Sequence, residues 1–140
     1  MKIEAKTEID NIDWNLVSET LKSVGMAYHS PETHKKAFEA SYCTVFLYDE
    51  GRMVGFGRAI SDGAYQAAIY DCAVIKEYQG IGLGKQIVQK ILSQLKDCNI
   101  ILYASPGKEG FYEKQGFRKM KTGMAYFINS ESMSERGFTE

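Results

Sequence analysis

The order of apolar and polar positions divides the chain into alternating strands and helices. Met1 to Glu8 alternates around Ile3 and Ala5, the pattern of an edge strand. From Trp14 the apolar positions Trp14, Val17, Leu21 and Val24 recur at spacings of three and four. That predicts an amphipathic helix ended by Gly25. Ser30-Pro31-Glu32-Thr33 reads as an N-cap with proline at the first helical position, opening a second helix to about Ala40. Tyr42 to Tyr48 is a strong strand, turned by Asp49-Glu50-Gly51-Arg52 into Met53–Ile60. Ser61-Asp62-Gly63 then leads into a long strand, Tyr65–Ile75. These three strands are expected to form an antiparallel meander.

Beyond Ile75 the period changes. Leu83, Ile87, Val88, Ile91, Leu92 and Leu95 form one apolar helical stripe, with Lys85, Gln86, Gln89, Lys90, Gln94 and Lys96 opposite. Asn99 to Ala104 is a continuous apolar run, which predicts a central strand buried on both faces. Strand, helix and strand make a right-handed βαβ unit with parallel strands. A short helix is expected from about Lys108 to Gln115, stopped by Gly116. Strands near Phe117–Met120 and Met124–Ile128 would close the sheet, and the polar residues after Asn129 are expected to be loose. The expected class is α+β: one domain over 1–140, with a mixed sheet of six or seven strands and about four helices. Residues 1–41 hold the first strand and N-terminal helices, 42–128 the core, and 129–140 the tail.

Composition narrows the function classes. Apolar residues make up 44% and charged residues 25%, an ordinary globular balance. No apolar run reaches the length of a membrane span, and the N-terminus lacks the apolar centre of a signal peptide. Cys43, Cys72 and Cys98 stand singly inside apolar runs, without metal-like or disulfide-like spacing, so buried thiols and a reducing cytoplasm are expected. A net charge of −1 argues against a nucleic-acid binder. Residues 1–70 carry 7 Lys/Arg against 10 Asp/Glu, and residues 71–140 carry 10 against 8. The second half therefore tolerates an anionic small ligand.

That half contains Gln79-Gly80-Ile81-Gly82-Leu83-Gly84-Lys85, between a strand and a helix. Glycines there let backbone N–H groups converge, and the helix N-terminus adds unsatisfied N–H groups and a partial positive charge, a good phosphate receiver. A tight strand-to-helix turn would also want glycine. A P-loop would need glycine at position 79 and Ser or Thr at 86, where Gln79 and Gln86 stand. A dinucleotide fingerprint would need glycine at 85, where Lys85 stands, and an acidic residue near the end of the next strand, which reads Tyr103-Ala104-Ser105.

Cys72 through Gly84 resembles the acetyl-CoA motif of the GCN5-related N-acetyltransferases (GNAT). The pattern is Gln or Arg, two residues, Gly, one residue, Gly or Ala; Gln79, Gly82 and Gly84 meet it. A second family motif is similar to Phe111-Tyr112-Glu113-Lys114-Gln115-Gly116-Phe117. The resemblance covers about residues 42–128 and implies the GNAT fold, with the βαβ unit binding acetyl-CoA. It implies a pyrophosphate resting on the amides of Gln79, Gly80, Ile81, Gly82, Leu83, Gly84 and Lys85, and a pantetheine arm paired with Ala73 and Val74. A backbone amide there would face the thioester carbonyl and stabilise an oxyanion. Tyr112 would protonate the departing thiolate. Many family members carry Asn where this chain has Ser105. Ser105 and Lys108 are kept as cofactor-contact candidates.

The amine must lose a proton. Tyr70 and Asp71 lie on the strand before Ala73, on opposite faces if alternation holds, though a bulge would change this. Asp71 is the candidate base, with a satisfied structural carboxylate as the alternative. Direct attack in a ternary complex makes Cys72 a core thiol rather than a nucleophile. The implied activity is N-acetyl transfer from acetyl-CoA to a small-molecule primary amine, with no metal; the alternative is a non-catalytic acyl-CoA-binding regulatory module. Tyr28, His29, His34, Phe56, Arg58 and Tyr70 are candidates for the acceptor side, the two histidines being surface residues by default. Arg58 would pair with an acidic acceptor or with Asp62. An arylalkylamine, a polyamine, an amino sugar and a protein amine all remain open acceptors. The resemblance is also compatible with a homodimer formed through the C-terminal strands.

Overall fold

A computed structural model describes Met1–Glu140. The chain forms two compact units, Met1–Leu102 and Tyr103–Glu140. The first contains β1 (Ile3–Lys6), α1 (Trp14–Ser23), α2 (Pro31–Glu39), β2 (Cys43–Asp49), β3 (Arg52–Ser61), β4 (Gln66–Val74), α3 (Leu83–Ser93) and β5 (Asn99–Ile101). The second contains α4 (Glu109–Glu113) and α5 (Ser130–Glu135). The class is α+β, with one five-stranded sheet in the order β1-β2-β3-β4-β5. The first four strands pair antiparallel and β5 joins β4 in parallel.

Local chemistry explains the helix starts. Asp13 caps α1 by accepting from the Leu16 N–H at 3.1 Å, and Ser30 caps α2 by accepting from the Thr33 N–H at 3.2 Å. Pro31 opens α2, as its fixed φ suits that position. The β2–β3 hairpin closes through Glu50 and Gly51, both at positive φ (48° and 85°). That is the two-residue turn whose twist matches its flanking strands.

The sheet is covered on both faces. On one, α1 and α2 bury Val17, Leu21 and Phe38 with Phe46, Met53, Phe56 and Ala73. The ring of Phe38 lies 5.5 Å from Trp14, 5.7 Å from Phe46 and 6.0 Å from Phe56, centroid to centroid. On the other, α3 buries Leu83, Ile87, Val88 and Ile91. A Cβ at Gly57 would lie 2.7 Å from Ile87 Cγ2 and 2.8 Å from Cys72 Sγ. Glycine at that position is what lets α3 lie close to β3.

Several expectations are corrected. The sheet has five strands rather than six or seven, and there are five α-helices rather than about four. The run Asn99–Ala104 is not a central strand: β5 ends at Ile101, forms the sheet's edge, and leaves Ile101 52% exposed. Neither Phe117–Met120 nor Met124–Ile128 is a strand. β-Forming side chains make a strand only where a neighbour supplies ladder hydrogen bonds, and β5 has no partner on its outer side. The tail is not loose throughout, since α5 forms around buried Met133 and the Phe138 N–H returns to the Met133 carbonyl. Helix α4 is shorter than expected. The Gly116 and Phe117 N–H groups fold back onto the carbonyls of Glu113 and Tyr112, with Gly116 at φ 97°.

Candidate active site

The glycine loop begins where β4 ends. Its entry, the 3₁₀ turn Lys76–Tyr78, is tied to the β2–β3 hairpin. The Tyr78 hydroxyl donates to Asp49 Oδ2 at 2.5 Å. Arg52 bonds Glu77 at 3.3 Å and lies over the Tyr78 ring at 5.6 Å. Bonds from the Tyr78 hydroxyl and the Lys2 N–H hold the Asp49 carboxyl below the usual carboxylate range, and the same carboxylate pushes the Tyr78 phenol up. The Gln79 side-chain amide then donates to the Val74 carbonyl at 2.9 Å, folding the loop back onto the end of β4.

Past Gln79 the backbone opens. Gly80 and Gly82 sit at φ 83° and 90°, and a Cβ built on either meets nothing within 4 Å. Gly82 is the N-cap of α3, which has no side-chain cap. No carbonyl or side chain of the protein accepts from the amides of Gly80 through Lys85. An uncapped helix N-terminus preceded by left-handed glycines fits a phosphate-bearing group, because amides and helix dipole favour negative charge together. Lys85 is exposed beside it.

The strand leading to this loop is irregular. Phe56 pairs with Ala73 and Arg58 with Tyr70, so Gly57 alone opposes Asp71 and Cys72. This is a bulge on β4, and Asp71 occupies it at φ 56°. Alternation therefore fails here: Tyr70 and Ala73 pair with Arg58 and Phe56, which share the α2 face, and Asp71 reaches that face too. Arg58 Nε donates to Asp71 Oδ2 at 2.7 Å, and Arg58 Nη1 donates to Ser41 Oγ at 3.3 Å. The guanidinium lies 5.7 Å from the Phe38 ring centroid and 5.4 Å from that of Tyr70. Asp71 is thus a paired carboxylate. Of the two partners considered for Arg58, Asp62 is not one, since Asp62 accepts from the Ala64, Tyr65 and Gln66 N–H groups of its own turn.

His34 is corrected as well. Far from lying on the surface, it is 2% exposed, and its Nε2 accepts from the His29 N–H at 2.8 Å. Burial lowers its pKa, with Asp71 acting in the opposite direction. Phe56, at 1% exposure, belongs to the core rather than to a cleft lining. Tyr28 and His29 are exposed. Burial pushes the Cys72 thiol up to about 12, which suits a core thiol and not a nucleophile.

Within the second unit, Tyr112 stands on α4, its ring 4.9 Å from Phe111 and 5.8 Å from Phe117. Phe111 is 39% exposed. Ser105 and Lys108 share one turn, the Lys108 N–H donating to the Ser105 carbonyl at 2.9 Å. Asp71, Ala73, Val74 and the loop from Gln79 to Lys85 fall together at the end of β4. Ser105, Lys108 and Tyr112 fall together around the start of α4. The sequence reading missed Asp49, Tyr78 and Arg52 as supports of the loop, and Arg58 as the partner of Asp71. The hairpin turn and the aromatic just before Gln79 were both visible, but nothing in the sequence joins them.

Residues 14–125 match the family profile described as an acetyltransferase (GNAT) domain. An uncharacterized N-acetyltransferase (ycf52-like) of Prochlorococcus marinus is 34% identical over 118 residues, covering 79% of this chain and 66% of that one. A rice protein named serotonin N-acetyltransferase 2, chloroplastic, is 34% identical over 133 residues, covering 87% of this chain and 66% of its own. The chain thus spans just under two thirds of both relatives. A crystal structure of a GNAT-family protein from Xanthomonas campestris superposes with a TM-score of 0.81 at 23% identity, over 91% of this chain and 94% of that one. That likeness establishes the fold.

Proposed function

From the premise that this chain belongs to the GNAT family of acetyltransferases, we propose that it moves the acetyl group of acetyl-CoA to a primary amine. The observation that carries this is the set of unpartnered amides from Gly80 to Lys85 at the uncapped start of α3, approached by glycines where a Cβ would find open space. Those amides would hold the pyrophosphate. Ala73 and Val74, at the end of β4, would hold the pantetheine arm. When bound, acetyl-CoA supplies the activated acyl group, and the chain's residues orient it and move protons.

Tyr112 is assigned as the acid that donates a proton to the leaving sulfur. Reference values of about 8.5 for a thiol and about 10 for a phenol put that transfer within easy reach. Ser105 and Lys108 are assigned to the cofactor from the turn before α4. The name of the rice relative makes an indole-ethylamine a reasonable first acceptor, beside polyamines, amino sugars and peptide amines.

A thiol-release assay against that panel tests the proposal. Amine-dependent CoA release that Tyr112→Phe abolishes supports it. Acetyl-CoA binding without release to any amine would favour a non-catalytic acyl-CoA-binding module.

A further inference from the structure

Asp71 sits in a conformation that side-chain-bearing residues avoid. Its φ of 56° is left-handed, and it is one of three such non-glycine residues, the others being Asn11 and Glu50. The left-handed region costs an L-residue about 1–2 kcal/mol, and Asp bears it better than most. Glu50 occupies a hairpin turn; Asp71 stands inside a sheet.

Strain within a ladder persists only when its surroundings over-determine it. Arg58 does so here. Its Nε bonds Asp71 Oδ2 at 2.7 Å, with the side chains only 16% and 21% exposed. Arg58 is fixed in turn by Ser41 Oγ and by the Phe38 and Tyr70 rings, 5.7 and 5.4 Å from its guanidinium.

The bulge determines everything after it on β4. A one-residue slip in a strand sends each side chain to the opposite face. Because Asp71 adds a residue, Ala73 pairs with Phe56 and joins the α1–α2 core. Val74 pairs with Gly55, and its carbonyl receives the Gln79 side chain. The ion pair is therefore coupled through two residues of strand to the segment that opens the glycine loop.

We propose that Asp71 is a positioning residue, not the general base: with Arg58 it holds the β4 bulge that sets Ala73, Val74 and the following loop for acetyl-CoA. This rests on the acetyltransferase reading. One oxygen of its carboxylate, Oδ2, is already given to a guanidinium. Tyr70, whose ring lies 5.4 Å from the guanidinium, and Cys72 and His34, which feel both charges, are the other titratable groups beside the pair, and the His34 Nε2 is occupied by a backbone N–H.

Glycine separates the two roles, since it removes the carboxylate while favouring the left-handed backbone. The variants are Asp71→Gly, Asp71→Ala and Arg58→Met, each checked for folding by circular dichroism and thermal melting. Acetyl-CoA affinity is measured by calorimetry, and kcat is followed against pH. We expect Asp71→Ala to weaken acetyl-CoA on the order of tenfold, the fold-change equivalent to the left-handed penalty. Asp71→Gly should recover most of that loss, melt above Asp71→Ala, and keep the pH profile with kcat within about threefold of the parent. Arg58→Met should weaken acetyl-CoA as Asp71→Ala does.

A hundredfold fall in kcat for Asp71→Gly with acetyl-CoA affinity intact would make Asp71 the base and overturn the inference. Equal acetyl-CoA affinity and melting for the Gly and Ala variants would also overturn it, because the bulge would not depend on the left-handed residue. If the parent protein does not bind acetyl-CoA, the acetyltransferase reading falls first, and the inference falls with it. The melting comparison still reports whether Asp71 holds the bulge.

Discussion

The Gln79 side chain donates to the Val74 carbonyl at 2.9 Å, so the first residue of the glycine loop is anchored to the last residue of β4. One contact thereby joins the two segments assigned to acetyl-CoA. Gln79→Ala should raise the acetyl-CoA KM about fivefold, the equivalent of one ordinary hydrogen bond, with little change in kcat. Steady-state kinetics with acetyl-CoA varied at saturating amine would show this.

Gly82 caps α3 at φ 90° in open space, so alanine there meets no protein atom and the cost is the backbone's own. Gly82→Ala should cost about 1–2 kcal/mol of stability through that conformation. It should also weaken acetyl-CoA, by placing a methyl group where the phosphate approaches the amides. Thermal melting with and without acetyl-CoA separates the two effects.

Gly57 differs from Gly82 in its surroundings. Its Cβ would press on Ile87 Cγ2 and Cys72 Sγ, the ends of packed side chains between β3 and α3. Gly57→Ala should destabilise the protein by about 1–3 kcal/mol, the usual cost of overpacking a core. Urea denaturation would measure it.

His34 makes stability depend on pH. Its folded pKa lies below the unfolded value near 6.5 because burial disfavours the charged ring. The unfolded chain then binds the extra proton first, so stability is full above about pH 6.5 and falls as pH drops from there toward the folded pKa. Melting temperatures measured from pH 7.5 down to pH 5 should fall, and the fall should be smaller in His34→Gln. Parallel curves for the two proteins would contradict this.

Much of this was legible in the sequence, for local reasons. Ser30-Pro31 and Glu50-Gly51 announce a cap and a two-residue turn because such chemistry acts within four residues. The loop from Gln79 to Lys85 is legible for the same reason. A bulge before Ala73 was raised only as an option, and its seat at Asp71 was not legible, since no residue type there demands a left-handed φ; its ion-pair partner is Arg58, thirteen positions away on the neighbouring strand. The burial of His34 was hidden behind its polar neighbours on α2. Met124 to Ile128 reads as a strand because it is an apolar run rich in β-forming residues, yet Tyr126 and Ile128 stand fully exposed. Such composition records suitability for a sheet, and only a partner edge turns that into one.

Calorimetric titration of acetyl-CoA into the purified protein tests the central claim most directly. The account predicts saturable 1:1 binding in the micromolar range that Gly82→Ala weakens. Absence of binding at millimolar acetyl-CoA would contradict it, and the Gln79–Lys85 segment would then be only a tight turn into α3.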